Sequence, residues 1–345
     1  YGFILQHRNN MGNLITGHIS GGELNYIIPT KGTKLWHHEN NFPEKGITFA
    51  YYNLGNPAQL GNLFAIAPFY DIPLNEKKKR FRLYMRLCSG IAYATKTFDP
   101  IENHKNNVVS VPLNAYVNFR WFYKFDISPR LRWEAGLNFA HASNGKYKAP
   151  NLGINMLTLN TGITWKFTSK NPTTFEKNHI DSSTKAPSRH EIYTLAAFGI
   201  NEIEPPGGSK YLAQTYILGY YYNLRNTHKF GGGLDFYYGG AVVQEIYQQD
   251  SIKYSNKLKY VQVGAKFSYC YNVGRTSFPV EFGYYVSTPY KGDGMFFHRI
   301  GVRHYTQNNI ILNFSLKTHW AVASYFEFGL GYRLPLKRKT LNSNQ

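Results

Sequence analysis

Cysteine is almost missing from this 345-residue chain, which has only Cys88 and Cys270, far apart in sequence. Two distant thiols exclude a dense disulfide framework, and their spacing makes neither a redox motif nor a cysteine metal site. Long apolar runs are missing too. None approaches the ~20 consecutive residues that a membrane helix needs. Acidic residues are scarce, 20 Asp+Glu against 39 Lys+Arg, for a net charge of +19. Such a balance favours anionic partners. The chain shows no nucleic-acid recognition module and no basic helix, which leaves a phosphate-rich membrane surface, or merely basic loops and a basic lumen. There is no initiating Met and no signal peptide. The chain enters a strand-like run at Tyr1, as a processed exported protein would.

Aromatic residues are plentiful instead, with 29 Tyr and 24 Phe, and there are 31 Gly. The mean hydropathy of −0.42 resembles that of a soluble protein. Membrane strands hide their signal in that way, because alternate residues face lipid and a polar interior. Alternation runs along the whole chain. Leu312, Phe314, Leu316, Thr318 and Trp320 oppose Asn313, Ser315, Lys317 and His319. Strands are expected at 1–6, 16–29, 46–53, 62–73, 81–95, 108–126, 129–143 and 155–167. A second series is expected at 190–201, 211–224, 229–242, 258–273, 277–288, 296–306, 310–319 and 323–334. Residues 7–16 fit a short helix or an inserted loop. Short and long connections alternate from Phe81 onward, as in outer-membrane barrels. The fold class is therefore all-β: an antiparallel transmembrane β-barrel of about 14–16 strands. A single closed barrel is expected, because closure removes edges that lipid cannot satisfy. In that organisation, 1–167 form an eight-strand unit, 168–189 a polar periplasmic loop, 190–335 strands completing the same barrel, and 336–345 a basic tail.

The stretch Leu131 to Ile163 carries the chemistry. Leu131, Trp133, Ala135, Leu137 and Phe139 share one strand face with His141 and Ser143. The opposite face runs Arg130, Arg132, Glu134, Gly136 and Asn138, which suits a wet lumen. A histidine and a serine close together on a lipid-side face suggest an esterase whose substrate is a lipid. Serine is a weak nucleophile until an imidazole takes its proton. A pair of polar side chains resting among headgroups would give the same pattern.

The run His141-Ala142-Ser143-Asn144, followed by Pro150-Asn151-Leu152-Gly153, resembles the lipid A 3-O-deacylase (PagL-type, acyloxyacyl hydrolase-like) outer-membrane barrel family. The resemblance covers roughly Tyr1 to Phe167 and is closest to longer homologues of the Bacteroides group. Thr16-Gly17-His18, Leu54-Gly55-Asn56-Pro57 and Leu60-Gly61-Asn62 look familiar from the same homologues. It implies Ser143 as nucleophile, His141 as base and Asn144 as an oxyanion partner, acting on an ester-linked acyl chain of lipid A. It implies a bacterial outer-membrane location, lipopolysaccharide as partner, and neither metal nor cofactor. The family's third member is a Glu, and Asn155 stands at that position. Asn155 could orient His141 through its amide oxygen, or Asp99 or Glu102 could supply a carboxylate; Glu134 points into the lumen. The alternatives are a catalytically impaired barrel that binds lipid or serves as scaffold in a larger outer-membrane complex, and a diffusion porin.

Three other clusters invite chemistry. His37, His38 and Glu39 could suggest a metal, but consecutive residues of an extended chain face opposite ways, and an exposed loop pair is the simpler expectation. Gly231-Gly232-Gly233 lies in a strand run and eases sheet curvature. Arg299, Arg303 and Lys317 share inward parity; they line a basic lumen that attracts anions or, the favoured reading, pair with Glu281 and Glu327 in a plugged interior.

Overall fold

A computed structural model describes residues 1–75, 81–167, 188–203, 205–250, 254–320 and 322–336. The polar stretch 168–187 and the tail 337–345 lie outside the described residues. Among the described residues sixteen strands are present, and they form two separate eight-strand sheets. The single closed barrel is thereby corrected. The chain divides into two compact units, one built mainly from residues 1–144 and 148–184, the other mainly from 185–345. An eight-strand sheet already has an interior just wide enough for side chains to fill, so neither unit needs the other's strands to bury its inward face.

The first unit contains β1 (Gly2–Ile4), β2 (Ser20–Pro29), β3 (Glu44–Asn53), β4 (Asn62–Pro73), β5 (Phe81–Ala94), β6 (Leu113–Asp126), β7 (Leu131–Ser143) and β8 (Ile154–Trp165). Each strand from β2 to β8 pairs antiparallel with its sequence neighbour, and β1 lies along β8. β1 and β2 meet at one bridge, Gly2 to Ile19. Residues Asn9–Leu14 form a 3-10 helix whose Met11 and Leu14 join an apolar core with Ile4, Tyr52 and Tyr116. Toward the other end the interior is charged. Arg86 clasps both oxygens of Asp71 at 2.6 and 2.9 Å, and Lys124 reaches Glu44 and Asp71 at 2.5 and 2.9 Å. The interior at that end is thus filled by paired ions, because a charge taken out of water requires a partner.

The outside is the reverse of a soluble protein. Leu159, Ile163 and Trp165 are 58–69% exposed, while Asn138 and Thr158 point inward and are buried. Only a lipid environment makes that arrangement favourable. One departure lies between β2 and β3. A short helix, α1 (Leu35–Glu39), carries His37 and His38, so these histidines sit on a helical turn and not on an extended chain. His38 Nε2 lies 2.6 Å from the Gly32 carbonyl oxygen.

The second unit is a closed barrel of β9 (His190–Glu202), β10 (Lys210–Arg225), β11 (His228–Gly239), β12 (Gln262–Val273), β13 (Thr276–Ser287), β14 (Phe296–Tyr305), β15 (Ile310–His319) and β16 (Val322–Leu336). β16 returns to pair with β9. The region after β11, expected as a long loop from Val243, contains a helix, α2 (Gly240–Asp250). Inside, Arg299 contacts Asp235, Glu281 and Glu327 at 2.6–2.8 Å, and Arg303 contacts Glu281 at 2.9 Å. The Lys317 ammonium lies 3.3 Å from the centre of the Tyr237 ring. Arg299 and Arg303 pair with the acids as expected, while Lys317 rests on an aromatic face instead. This plugged interior overturns the porin alternative, since these fully buried side chains occupy the space a diffusion channel would need.

Candidate functional site

The site lies where β7 ends and β8 begins. The strand register places Asn155 directly opposite His141, and Ser143 opposite Ala115 of β6. Directly opposite residues have Cβ atoms about 5 Å apart, within reach of short polar side chains. Asn155 Oδ1 is 2.6 Å from His141 Nδ1. His141 and Ser143 keep the outward parity expected for them, His141 half-buried and Ser143 fully covered. Ser143 is buried, and its hydroxyl oxygen has no hydrogen-bond partner among the described residues.

Gly153 explains the covering. It has φ +76°, a left-handed conformation that favours glycine. A Cβ built there would lie 2.7 Å from His141 Cε1 and 3.1 Å from Ser143 Cβ. The two side chains therefore converge on one point, and only a glycine lets the returning loop close over them. The loop is tied down from the β5–β6 connection. Leu152 N donates to the Asn107 carbonyl oxygen at 3.2 Å, and Gly153 N donates to that of Val108 at 3.0 Å.

Asn144 is placed differently from the oxyanion role expected for it. Its amide nitrogen donates to Ser110 Oγ at 2.8 Å and to the Lys148 carbonyl oxygen at 3.0 Å. Both of its side-chain hydrogens are thus used in holding the turn. Its backbone N–H donates to Asn151 Oδ1 at 3.0 Å. The other end of that amide, Nδ2, is buried and has no partner among the described residues. Asn151 Nδ2 and Ser143 Oγ are thus both buried without a partner among the described residues, and Asn151 belongs to the loop that follows β7, a feature the sequence string contained without marking it. Leaving such a group unsatisfied costs about 1–3 kcal/mol, so it is expected to have a use.

The carboxylate alternatives are not brought to the histidine. Asp99 Oδ1 accepts from the backbone N–H groups of Ile101 and Glu102 at 2.8 and 2.9 Å, and these bonds hold its carboxyl below the usual carboxylate range. Glu134 is inward-facing and buried, as expected. One further residue does reach the site. His7, in the stretch expected as a short helix or an inserted loop, places Nδ1 3.1 Å from Asn155 Nδ2 and Nε2 3.1 Å from the Leu152 carbonyl oxygen.

Antiparallel strands, an outward apolar face and an interior of paired charges define a transmembrane β-barrel protein of the outer-membrane type. The profile of lipid A 3-O-deacylase (PagL) matches residues 20–164, and that of the acyloxyacyl hydrolase C-terminal domain matches 190–338. The chain belongs to the PagL family of outer-membrane lipid A deacylases. No curated protein matches it. Among solved structures, the copper transporter OprC is 9% identical, with 93% of this chain and 69% of that chain covered and a TM-score of 0.18. A mutant of Rh. blastica porin is 9% identical, with 92% and 100% covered and a TM-score of 0.19. Scores this low carry no argument.

Proposed function

We propose that the protein is a serine esterase that removes an ester-linked acyl chain from lipid A in the outer leaflet. Ser143 attacks the ester carbonyl carbon while His141 Nε2 takes the hydroxyl proton. Asn155 Oδ1 accepts from His141 Nδ1–H, which holds the imidazole with its basic nitrogen toward the serine. The Asn151 amide nitrogen donates to the oxygen of the tetrahedral intermediate; Asn144 supports that arm through its backbone N–H and fixes the turn through its side chain. Collapse of the intermediate expels the acyl chain's partner alcohol, protonated by His141, and water then releases the fatty acid. The 2.6 Å contact between His141 and Asn155 carries this reading, because it supplies the third member that the missing glutamate leaves vacant. The basic excess of the chain suits the lipid's phosphates.

Mass spectrometry of lipid A incubated with the wild type and with Ser143→Ala tests it. Loss of one acyl chain with the wild type alone is the expected result. An unchanged spectrum in both would refute it. The second reading, a lipid-binding or scaffold barrel without catalysis, is favoured by the Ser143 hydroxyl having no bond to His141. Stoichiometric partner chains co-purifying with an inactive barrel would support that reading.

A further inference from the structure

We propose that His7 is a positioning residue that selects the working orientation of the Asn155 amide; the inference rests on the esterase reading above. A carboxylate presents an acceptor whichever oxygen faces a histidine. A carboxamide has two unlike ends. Were the Asn155 nitrogen to face His141, it would donate to Nδ1, and the ring proton would move to Nε2, the atom that must accept from Ser143. In a serine protease triad, an Asp→Asn change costs about 10⁴ in rate for this reason. Something must therefore fix which end of Asn155 points inward.

The chain of contacts fixes it. A backbone carbonyl only accepts, so His7 Nε2, 3.1 Å from the Leu152 oxygen, carries a proton. In the neutral ring Nδ1 is then an acceptor. It lies 3.1 Å from Asn155 Nδ2, which can only donate. The Leu5 carbonyl oxygen, 3.4 Å from the same Nδ1, is itself an acceptor and offers that lone pair nothing. With Nδ2 committed to His7, Asn155 Oδ1 faces His141 Nδ1 at 2.6 Å, and His141 Nε2 keeps its lone pair. Polarity thus passes from Leu152 through His7 and Asn155 to His141 without a break. The fold delivers His7 by pairing β1 along β8 and by a bond from Leu5 N to the Asn155 carbonyl oxygen at 2.9 Å. His7 and Asn155 are 148 positions apart. His7 need touch neither the substrate nor Ser143 to act.

The test compares His7→Gln, which keeps an acceptor oxygen, with His7→Lys, which offers only donors, and His7→Phe, which offers neither. Nitrogen NMR of ¹⁵N-histidine-labelled full-length protein in detergent micelles reports which His141 nitrogen carries the proton, whether or not the protein is active. The His141 signals are assigned by their loss in His141→Gln. Wild type and His7→Gln are expected to hold the proton on Nδ1, His7→Lys on Nε2, and His7→Phe to lose the bias. On lipid A, kcat of His7→Lys should fall ~10³–10⁴-fold with KM little changed. Replacing Asn155 by Asp removes the wrong end, so His7→Lys in that background should lose less than ~10-fold. Folding of each variant is verified by its heat-modifiable migration, and His7→Phe carries the test if His7→Lys does not fold. A proton still on Nδ1 in both His7→Lys and His7→Phe, or equal losses in the Asn155 and Asp backgrounds, would overturn the proposal. A tautomer change in a protein that deacylates nothing would support the positioning by His7 and remove the esterase reading instead.

Discussion

Asn155→Asp is the substitution that most directly weighs an amide against a carboxylate at this site. The two side chains have nearly the same size, so the 2.6 Å contact to His141 Nδ1 should survive. What changes is one negative charge beside an imidazole that, in the proposed reaction, becomes positive in the transition state. Two unit charges ~4 Å apart at an effective dielectric constant of ~20 attract by about 4 kcal/mol. That corresponds to roughly 10³ in rate. Part is lost in taking the carboxylate out of water, which costs several kcal/mol for a buried ion before its partners compensate. The His7 ring also opposes it, since a neutral Nδ1 lone pair faces the new charge. The net expectation is a gain of ~10- to 100-fold in kcat, with little change in KM. The assay is a mass-spectrometric time course of lipid A deacylation in mixed micelles, with Ser143→Ala as the blank. Ser143-dependent activity that is no faster in Asn155→Asp would refute the electrostatic reasoning and leave orientation as the whole contribution of residue 155.

Gly153→Ala should cut kcat by ~10²-fold or more, since a Cβ 2.7 Å from His141 Cε1 must push the ring or the loop, and a misplacement of ~1 Å costs about that much; a variant with wild-type turnover would show that the loop is not packed on the pair. Arg299→Leu takes from Glu327 the guanidinium it is paired with and from Asp235 and Glu281 one of their cations, Lys266 remaining to both, and is expected to destabilise the second barrel by ~3–5 kcal/mol. Thermal unfolding followed by electrophoretic mobility would register this, and an unchanged Tm would count against the network. Burial, reinforced by the nearby Lys34, His38 and Lys45, pushes the His37 imidazole down to about 4. The unfolded ring protonates near ~6.5, so between these values the unfolded state binds more protons and stability falls as pH falls. Amide protection factors around α1, taken against the intrinsic exchange rate at each pH, should therefore fall between about pH 6.5 and 4 in the wild type, and fall less in His37→Gln.

Much of this protein could be read along the chain. Strand period and parity are local properties. Alternation at Leu312 to His319 and at Leu131 to Phe139 therefore placed the strands and their inward and outward faces within a few residues. The His-x-Ser string put both site side chains on one face, and register across a single turn made Asn155 the neighbour of His141. The inward parity of Arg299 and Arg303 announced a charged interior.

Tertiary structure alone decided the rest, because those choices depend on partners distant in sequence. Whether sixteen strands close once or form two sheets depends on which edges pair. β16 meets β9 and β1 meets β8, and no local pattern encodes those pairings. α1 and α2 arise in connections whose composition reads as loop. Asn144 is expected as an oxyanion partner, but Ser110 and Lys148 take up its side-chain hydrogens, and the buried, unpaired nitrogen of Asn151 among the described residues is set by the folded loop. The orientation of the Asn155 amide hangs on His7, at the other end of the first unit's sequence. A hydrogen-bond direction belongs to a network, and the network exists only once β1 lies against β8.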